Sequence, residues 1–276
     1  MQPIPLTELD TRISARIAAG QLTVPVLPTV ASEVLGLVAD PLARLDTLVG
    51  SIHADPALAG HVIKYANSPL VRSGAVIVSL DQAIMRLGMR AVGNVAMAAC
   101  MGPRLFRAPL YAGLIDESWE ESRATAIWAR ELARECGEDA DSAFLRGLLH
   151  QVGRPVVLQM VQDALGASPQ DAPGAELVRE LLDRHAAAAG LGVAQRWNLP
   201  EPITETIRCI DGQPQPRGVA LVAAARLFAR AMLRDKDPEP GPLALAEPVV
   251  ALGFGEGAVK QLLLLCPGVR AALAAL

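Results

Sequence analysis

His150 is the residue with the most chemical promise in this sequence. It sits in Phe144-Leu145-Arg146-Gly147-Leu148-Leu149-His150-Gln151-Val152-Gly153-Arg154. Phe144, Leu145, Leu148, Leu149 and Val152 share one helical arc, the spacing of an apolar core stripe. At 100° per residue, His150 falls nearly opposite that stripe, beside Arg146 and Gly147. Gly147 carries no side chain, so a second element can approach closely there. A helix with an apolar back and a histidine on its other face can present proton transfer or metal ligation to a cleft. The remaining histidines offer less. His53 and His61 have no carboxylate or cysteine at ligand spacing and read as surface or helix-end residues. His185 shares the apolar stripe of Leu177, Val178, Leu181 and Leu182, the position of a hydrogen-bonded core histidine. There is no Gly-x-Ser-x-Gly elbow and no Walker lysine loop. Residues 253–258, Gly-Phe-Gly-Glu-Gly-Ala, mimic a dinucleotide fingerprint, but too little chain follows for a βαβ unit, so they read as a loop before a helix over 259–265.

The elements that must position these residues read as helices throughout. The first spans Leu6 to Ala18 and stops at Gly20. After Leu22-Thr23-Val24-Pro25-Val26-Leu27-Pro28, a second carries Leu27, Val30, Ala31, Val34, Leu35 and Val38 and ends at Asp40-Pro41. Asp46 or Thr47 caps a short helix through His53. Asp55-Pro56 is an N-cap followed by an N1 proline, opening a helix that stops at Asn67-Ser68-Pro69. Ser79-Leu80-Asp81-Gln82 is a capping box. Gly88 divides that helix from another over Met89 to Cys100. The interruption at Pro103 to Leu110 marks the best internal boundary. Beyond it come a long helix from Ile115 to Cys136, then the His150 stretch, capped by Asp141 or Ser142. A loop over Asp163 to Gly174 precedes a helix from Ala175 to Ala189. Gly190 and Gly192 should loosen the chain before Val193 to Trp197. Further helices follow Leu199-Pro200 and cover Val219 to Arg234, with a linker at Asp211 to Gly218 and two or three short helices after Pro242. No alternating strand pattern and no fixed-period repeat occurs. The fold class expected is all-α, in two packed sub-bundles: residues 1–21 as an N-terminal helix, 22–107 and 108–212 as the bundles, and 213–276 as a helical extension.

Composition bounds the function. Of 276 residues 51% are apolar but only 3% aromatic, which favours close-packed Ala- and Leu-rich helices. The formal charge of −4 is small and scattered, so there is no basic face for nucleic acid and no polybasic run for anionic lipid. The N-terminus lacks the basic and apolar regions of a signal peptide, and no apolar run is long enough for a membrane span. Cys100, Cys136, Cys209 and Cys266 are scattered without CxxC or zinc spacing, as expected of free thiols in a reducing cytoplasm.

At this level the chain resembles a known family. Leu27-Pro28, Asp55-Pro56-Ala57-Leu58, Ala66-Asn67-Ser68, and Ser79-Leu80 through Ile84 and Leu87-Gly88 look like the N-terminal half of an HDOD domain. Phe144 through Gly153, and His185 through Trp197-Asn198-Leu199-Pro200, look like its C-terminal half. HDOD modules are bacterial signalling output domains related to the HD phosphohydrolases, and the resemblance covers about residues 22–212. It implies an HD-like second bundle and a comparison with the HD metal site, where imidazoles and carboxylates hold divalent cations that activate water and clamp phosphate. The first ligand histidine would fall two residues after Trp119, where this chain has Glu121. The His-Asp pair corresponds to His150-Gln151, so the carboxylate is replaced by a neutral amide. His185 matches a later histidine, and the His-His pair of the HD-GYP branch is absent near Cys209-Ile210, as is the Gly-Tyr-Pro signature. The expectation is a vestigial site at Glu121, His150, Gln151, His185 and Asp211, with no catalytic residue, no metal and no cofactor. His150 is expected to bond across the interface at Gly147 and close the old cleft, and Glu121 to be a solvated helix carboxylate. The resemblance then implies cytoplasmic signal transduction through a protein partner or small ligand, by a stand-alone module. A loop at Asn67, Ser68 and Arg72 is a candidate interaction surface, with packing of one helix pair on the next as its plainer role. The alternative is a divergent metal-dependent phosphohydrolase acting on a nucleotide or cyclic dinucleotide through Glu121, His150, His185 and Asp211. A third reading is an all-α nucleic-acid or cyclic-nucleotide sensor, and the mild net charge argues against its nucleic-acid form.

Overall fold

In the computed structural model, the described residues are 6–39, 45–72, 74–102, 105–165, 172–212 and 215–276, and among them there is no strand. The expected stop at Asp40-Pro41, Ser73, Pro103-Arg104, half of the 163–174 loop and part of the 211–218 linker lie outside those residues. Helices α1 (Leu6–Ala18), α2 (Thr29–Ala39), α3 (Leu45–Ala54), α4 (Pro56–Ala66), α5 (Leu80–Leu87) and α6 (Met89–Cys100) make up the first half. A 3-10 turn at Pro109–Tyr111 leads into α7 (Ala112–Cys136), α8 (Ala140–Leu149), α9 (Gly153–Leu165), α10 (Ala175–Arg196) and α11 (Glu201–Cys209). The extension holds α12 (Arg217–Arg234), α13 (Pro240–Ala244), α14 (Glu247–Ala251), α15 (Glu256–Leu263) and α16 (Cys266–Leu273), so its short helices number four and the first begins ahead of Pro242.

Local chemistry accounts for most boundaries. Asp55 caps α4, its Oδ1 accepting from the Ala57 and Leu58 amides at 2.9 and 3.2 Å. Ser79 Oγ accepts from the Gln82 amide, but Gln82 Oε1 accepts from the Val78 amide, one residue earlier than a capping box requires. The cap of α8 is Asp139, whose Oδ1 takes the Asp141 and Ser142 amides at 3.0 Å each, and neither Asp141 nor Ser142 caps it. Asp141 is drawn away by Arg130, a buried α7 residue that donates to its Oδ1 at 3.0 Å and lies over the Phe144 ring. Arg130 also donates to the Tyr65 hydroxyl at 3.3 Å, and Asn94 donates to the Asp141 carbonyl at 3.0 Å. These bonds join the two halves.

The middle of α7 is buried from Ala124 to Ala133, with α8, α12, α16 and the turn packed around it. Gly147 lets α8 meet α7 backbone to backbone, as its sequence position implied: an added Cβ would come 2.8 Å from the Ala126 Cα. Two expectations fail at glycines. The His150 stretch is broken, with α8 ending at Leu149 and α9 starting at Gly153, whose absent Cβ would come 1.9 Å from the Ala186 carbonyl oxygen on α10. Gly190 and Gly192 do not loosen α10, which runs unbroken to Arg196; they admit Ile207 and Leu22 instead. Leu177 leaves the α10 stripe and is 44% exposed. The proline-rich 22–28 segment crosses α10, held by Trp197 Nε1 donating to the Pro25 carbonyl at 2.9 Å.

Candidate functional site

Of the residues singled out from sequence, four gather around one cleft in the second bundle and one does not. His150, Gln151 and Asp211 line a cavity of about 270 Å³ with Arg154, Asp183, Arg226 and Arg230. Glu121 and Gln151 line an adjoining cleft of about 560 Å³, which shares Arg154, Leu182, Asp183 and Arg230 with the first. His185 is turned away: its Nε2 pairs with Asp10 Oδ1 on α1 at 2.7 Å. That bond, with Arg184 beside it, holds the Asp10 carboxyl below its ordinary range.

His150 stands at the end of α8, 2% exposed. Its Nδ1 bonds the Gly147 carbonyl of its own helix at 2.7 Å, so it does not reach across the interface, and the cleft beside it stays open. A carbonyl only accepts, so Nδ1 carries the proton and the neutral ring offers Nε2 as a lone pair. Burial first, then the Arg226 guanidinium, pushes the imidazole pKa down to about 3. Nε2 has no partner among the described residues.

Gln151, where an HD site has a carboxylate, serves the packing of α7. Its Nε2 donates to the Ser118 carbonyl at 2.8 Å and to Ser122 Oγ at 3.2 Å. Glu121 is not a solvated carboxylate: it is 22% exposed and accepts from Arg230 Nε at 2.9 Å. Asp211, 69% exposed, accepts from Arg226 Nη2 at 2.6 Å. Arg154 donates to Asp183 at 3.3 Å. Thus two guanidinium groups of α12 lie against two of the positions that the HD comparison marks for ligands. Among the described residues, no three His, Cys, Asp or Glu side chains come close enough to hold an ion.

Arg226 and Arg230 carried no functional expectation. Their i, i+4 spacing in a helical segment places them on one face, which was the available signal; which surface that face meets depends on tertiary packing.

The loop after α4 is stapled rather than loose. Asn67 Nδ2 donates to the Ile77 carbonyl at 2.7 Å and Asn67 Oδ1 accepts the Ile77 amide at 2.9 Å. Ser68 is buried, Arg72 is exposed, and Leu70 packs against Gly268 of α16, so the loop does dock one part of the chain on another. Its far side leaves Val76, Val78 and nearby Met85 facing solvent. Nearby, Arg86 donates to the Ala75 carbonyl and Arg90 to Asp139, each within the protein; Arg104 lies outside the described residues.

Similar solved structures share this architecture. A crystal structure named as a candidate metal-dependent phosphohydrolase from Shewanella amazonensis SB2B aligns with TM-score 0.68 at 20% identity, covering 94% of this chain and 99% of that one. An HDOD domain protein of unknown function from Geobacter sulfurreducens aligns with TM-score 0.67 at 21% identity over 97% of each chain. A candidate signal transduction protein from Marinobacter aquaeolei VT8 aligns with TM-score 0.62 at 19% identity, over 99% of this chain and 68% of that one. At such identities the likeness is one of fold. An uncharacterized protein of Treponema pallidum (strain Nichols) is 27% identical over 240 residues, 83% of this chain, and the chain spans about half, 46%, of that relative's length. The HDOD domain model matches residues 24–212, well over half of the sequence, and the chain therefore belongs to the HDOD domain family.

Proposed function

We propose that this chain is a non-catalytic signalling module that acts by binding a protein partner or a small ligand, without turning it over. The observation that carries this reading is the occupation of the vestigial metal positions by the protein's own contacts. Glu121 holds Arg230, Asp211 holds Arg226, His185 holds Asp10, and Gln151 is spent on Ser118 and Ser122. Of these positions His150 alone keeps a lone pair without a partner among the described residues, and three arginines around it make the potential there hostile to a divalent cation. The names of the Marinobacter and Shewanella neighbours point in two directions, signal transduction and phosphohydrolysis. The contacts at these four positions favour the first for this chain. Four unpaired cysteines suit a reducing cytoplasm, and the exposed Val76, Val78 and Met85 offer a partner an apolar surface.

Metal analysis of protein purified without chelator tests the reading. The expected result is iron, manganese and zinc each far below one equivalent. Stoichiometric metal that is lost in His150→Ala would overturn the proposal in favour of a divergent metal-dependent phosphohydrolase.

A further inference from the structure

Two buried polar atoms beside the His150 cavity lack a partner among the described residues, and they are of opposite hydrogen-bonding sense. His150 Nε2 is an acceptor, because the ring's proton is committed to the Gly147 carbonyl; Arg226 Nε–H is a donor. Both residues line the same cavity, whose charged lining is Arg154, Arg226 and Arg230 against Asp183 and Asp211, one positive charge in excess. Each of these arginines bonds a carboxylate, and a guanidinium with five N–H donors keeps several to spare. Buried polar atoms are costly when left unpaired, so a donor and an acceptor side by side in a cationic cavity suit a ligand that offers both senses of hydrogen bond. That ligand carries negative charge for the arginines and a hydrogen for the imidazole.

We propose that this cavity binds a protonated phosphate group without a metal. The P–OH donates to His150 Nε2 while the anionic oxygens accept from Arg226 Nε and from spare guanidinium hydrogens of Arg154 and Arg230. Sulfate and carboxylates at neutral pH have no hydrogen to give the imidazole, and an ammonium ion would enter a positive potential. The wider cleft shares Gln151, Arg154 and Arg230 with the cavity, so it has room for whatever a phosphomonoester is attached to. Because α12 starts after the family match ends, the site needs the module and its extension together. The inference rests on the non-catalytic ligand-binding reading above and names the chemistry of the ligand.

Calorimetric titration of the full chain, in chelator and at fixed ionic strength, tests it with inorganic phosphate, sulfate and ribose 5-phosphate at pH 6 and pH 8. Inorganic phosphate keeps a P–OH at both values, whereas a monoester loses its own near pH 6. Phosphate should bind at least about tenfold more tightly than sulfate at both. If the physiological source is an ester, ribose 5-phosphate should exceed phosphate at pH 6 and weaken about tenfold by pH 8; if it is the free ion, phosphate should lead at both. Arg226→Gln should weaken phosphate binding about tenfold or more with an unchanged thermal melt, and His150→Phe, which keeps a ring but has no acceptor, should abolish the preference over sulfate. Equal affinity for phosphate and sulfate, or no binding of either up to about 10 mM, would overturn the proposal and leave the non-catalytic reading standing. Phosphate binding that appears only when the chelator is replaced by manganese or zinc would overturn both.

Discussion

A histidine that cannot take up a proton reports on its surroundings through the pH dependence of folding. His150 is faced by Arg226, Arg230 and Arg154, with Asp211 and Asp183 behind them, and its burial keeps the ring neutral until about pH 3. In the unfolded chain the same ring protonates near pH 6.5. Between those values the unfolded state binds the extra proton, so this contribution to stability is complete above pH 6.5 and is lost as the pH falls below it. The slope approaches about 1.4 kcal/mol per pH unit, which amounts to about 2 kcal/mol between pH 7.5 and pH 5. Denaturant unfolding of wild type and His150→Gln in phosphate-free buffer measures it. The variant should lose about 2 kcal/mol less stability over that range, and parallel profiles would show that His150 is not held neutral. The His150-Gln151 dipeptide was legible in the sequence because its departure from a ligand pair is written in adjacent residues. The arginines that complete its environment were not, because their approach is a long-range packing outcome.

Helices read well where the signal is local and poorly where a glycine has two meanings. Asp55-Pro56, Ser79 and Gly88 act within a few residues of themselves, and the boundaries they imply are present. Gly190 looks like a chain breaker in sequence and Gly153 like one more residue of the His150 helix, yet the two are where α9 and α10 cross with their backbones nearly touching. A glycine's freedom is visible in sequence but its neighbour is not, which is why the pattern divides α10 where the fold keeps it continuous. The contrast is measurable. Gly153→Ala puts a methyl 1.9 Å from the Ala186 carbonyl and 2.4 Å from the Gly190 amide, backbone atoms that cannot step aside as a side-chain tip could. It should cost about 3 kcal/mol or more. Gly60, inside α4, has nothing within 4 Å of its missing Cβ, and Gly60→Ala should stabilise by about 0.5–1 kcal/mol through helix propensity. Thermal melts of the two variants check the pair; similar effects from both would mean that the α9–α10 crossing is not close-packed.

The family match ends at residue 212, but the hydrophobic core does not. A single cluster of buried side chains runs from Leu9 on α1 to Ala275 beyond α16, passing through both bundles and the extension. The sequence made 213–276 look like an appendage because its helices follow a turn-rich linker. Periodicity shows that a helix has an apolar face, not which other helix that face will cover. In the fold α12 lies on α7 and α8, and Phe228 meets Trp128 with ring centroids 5.0 Å apart. Leu221, Ala225, Phe228 and Met232 are all buried there. At about 1.5–3 kcal/mol for each large side chain removed from water, losing this face and uncovering its partners on α7 is comparable with the roughly 5–15 kcal/mol of a typical domain. A chain ending at Gly212 should therefore fail to fold cooperatively even though it keeps every residue of the family match. Circular dichroism melts and size-exclusion profiles of the truncated and full chains decide the matter. A monomeric truncated protein with a sharp transition at the full-length midpoint would show the extension to be an accessory, and would leave Arg226 and Arg230 without a structural reason to sit where they do.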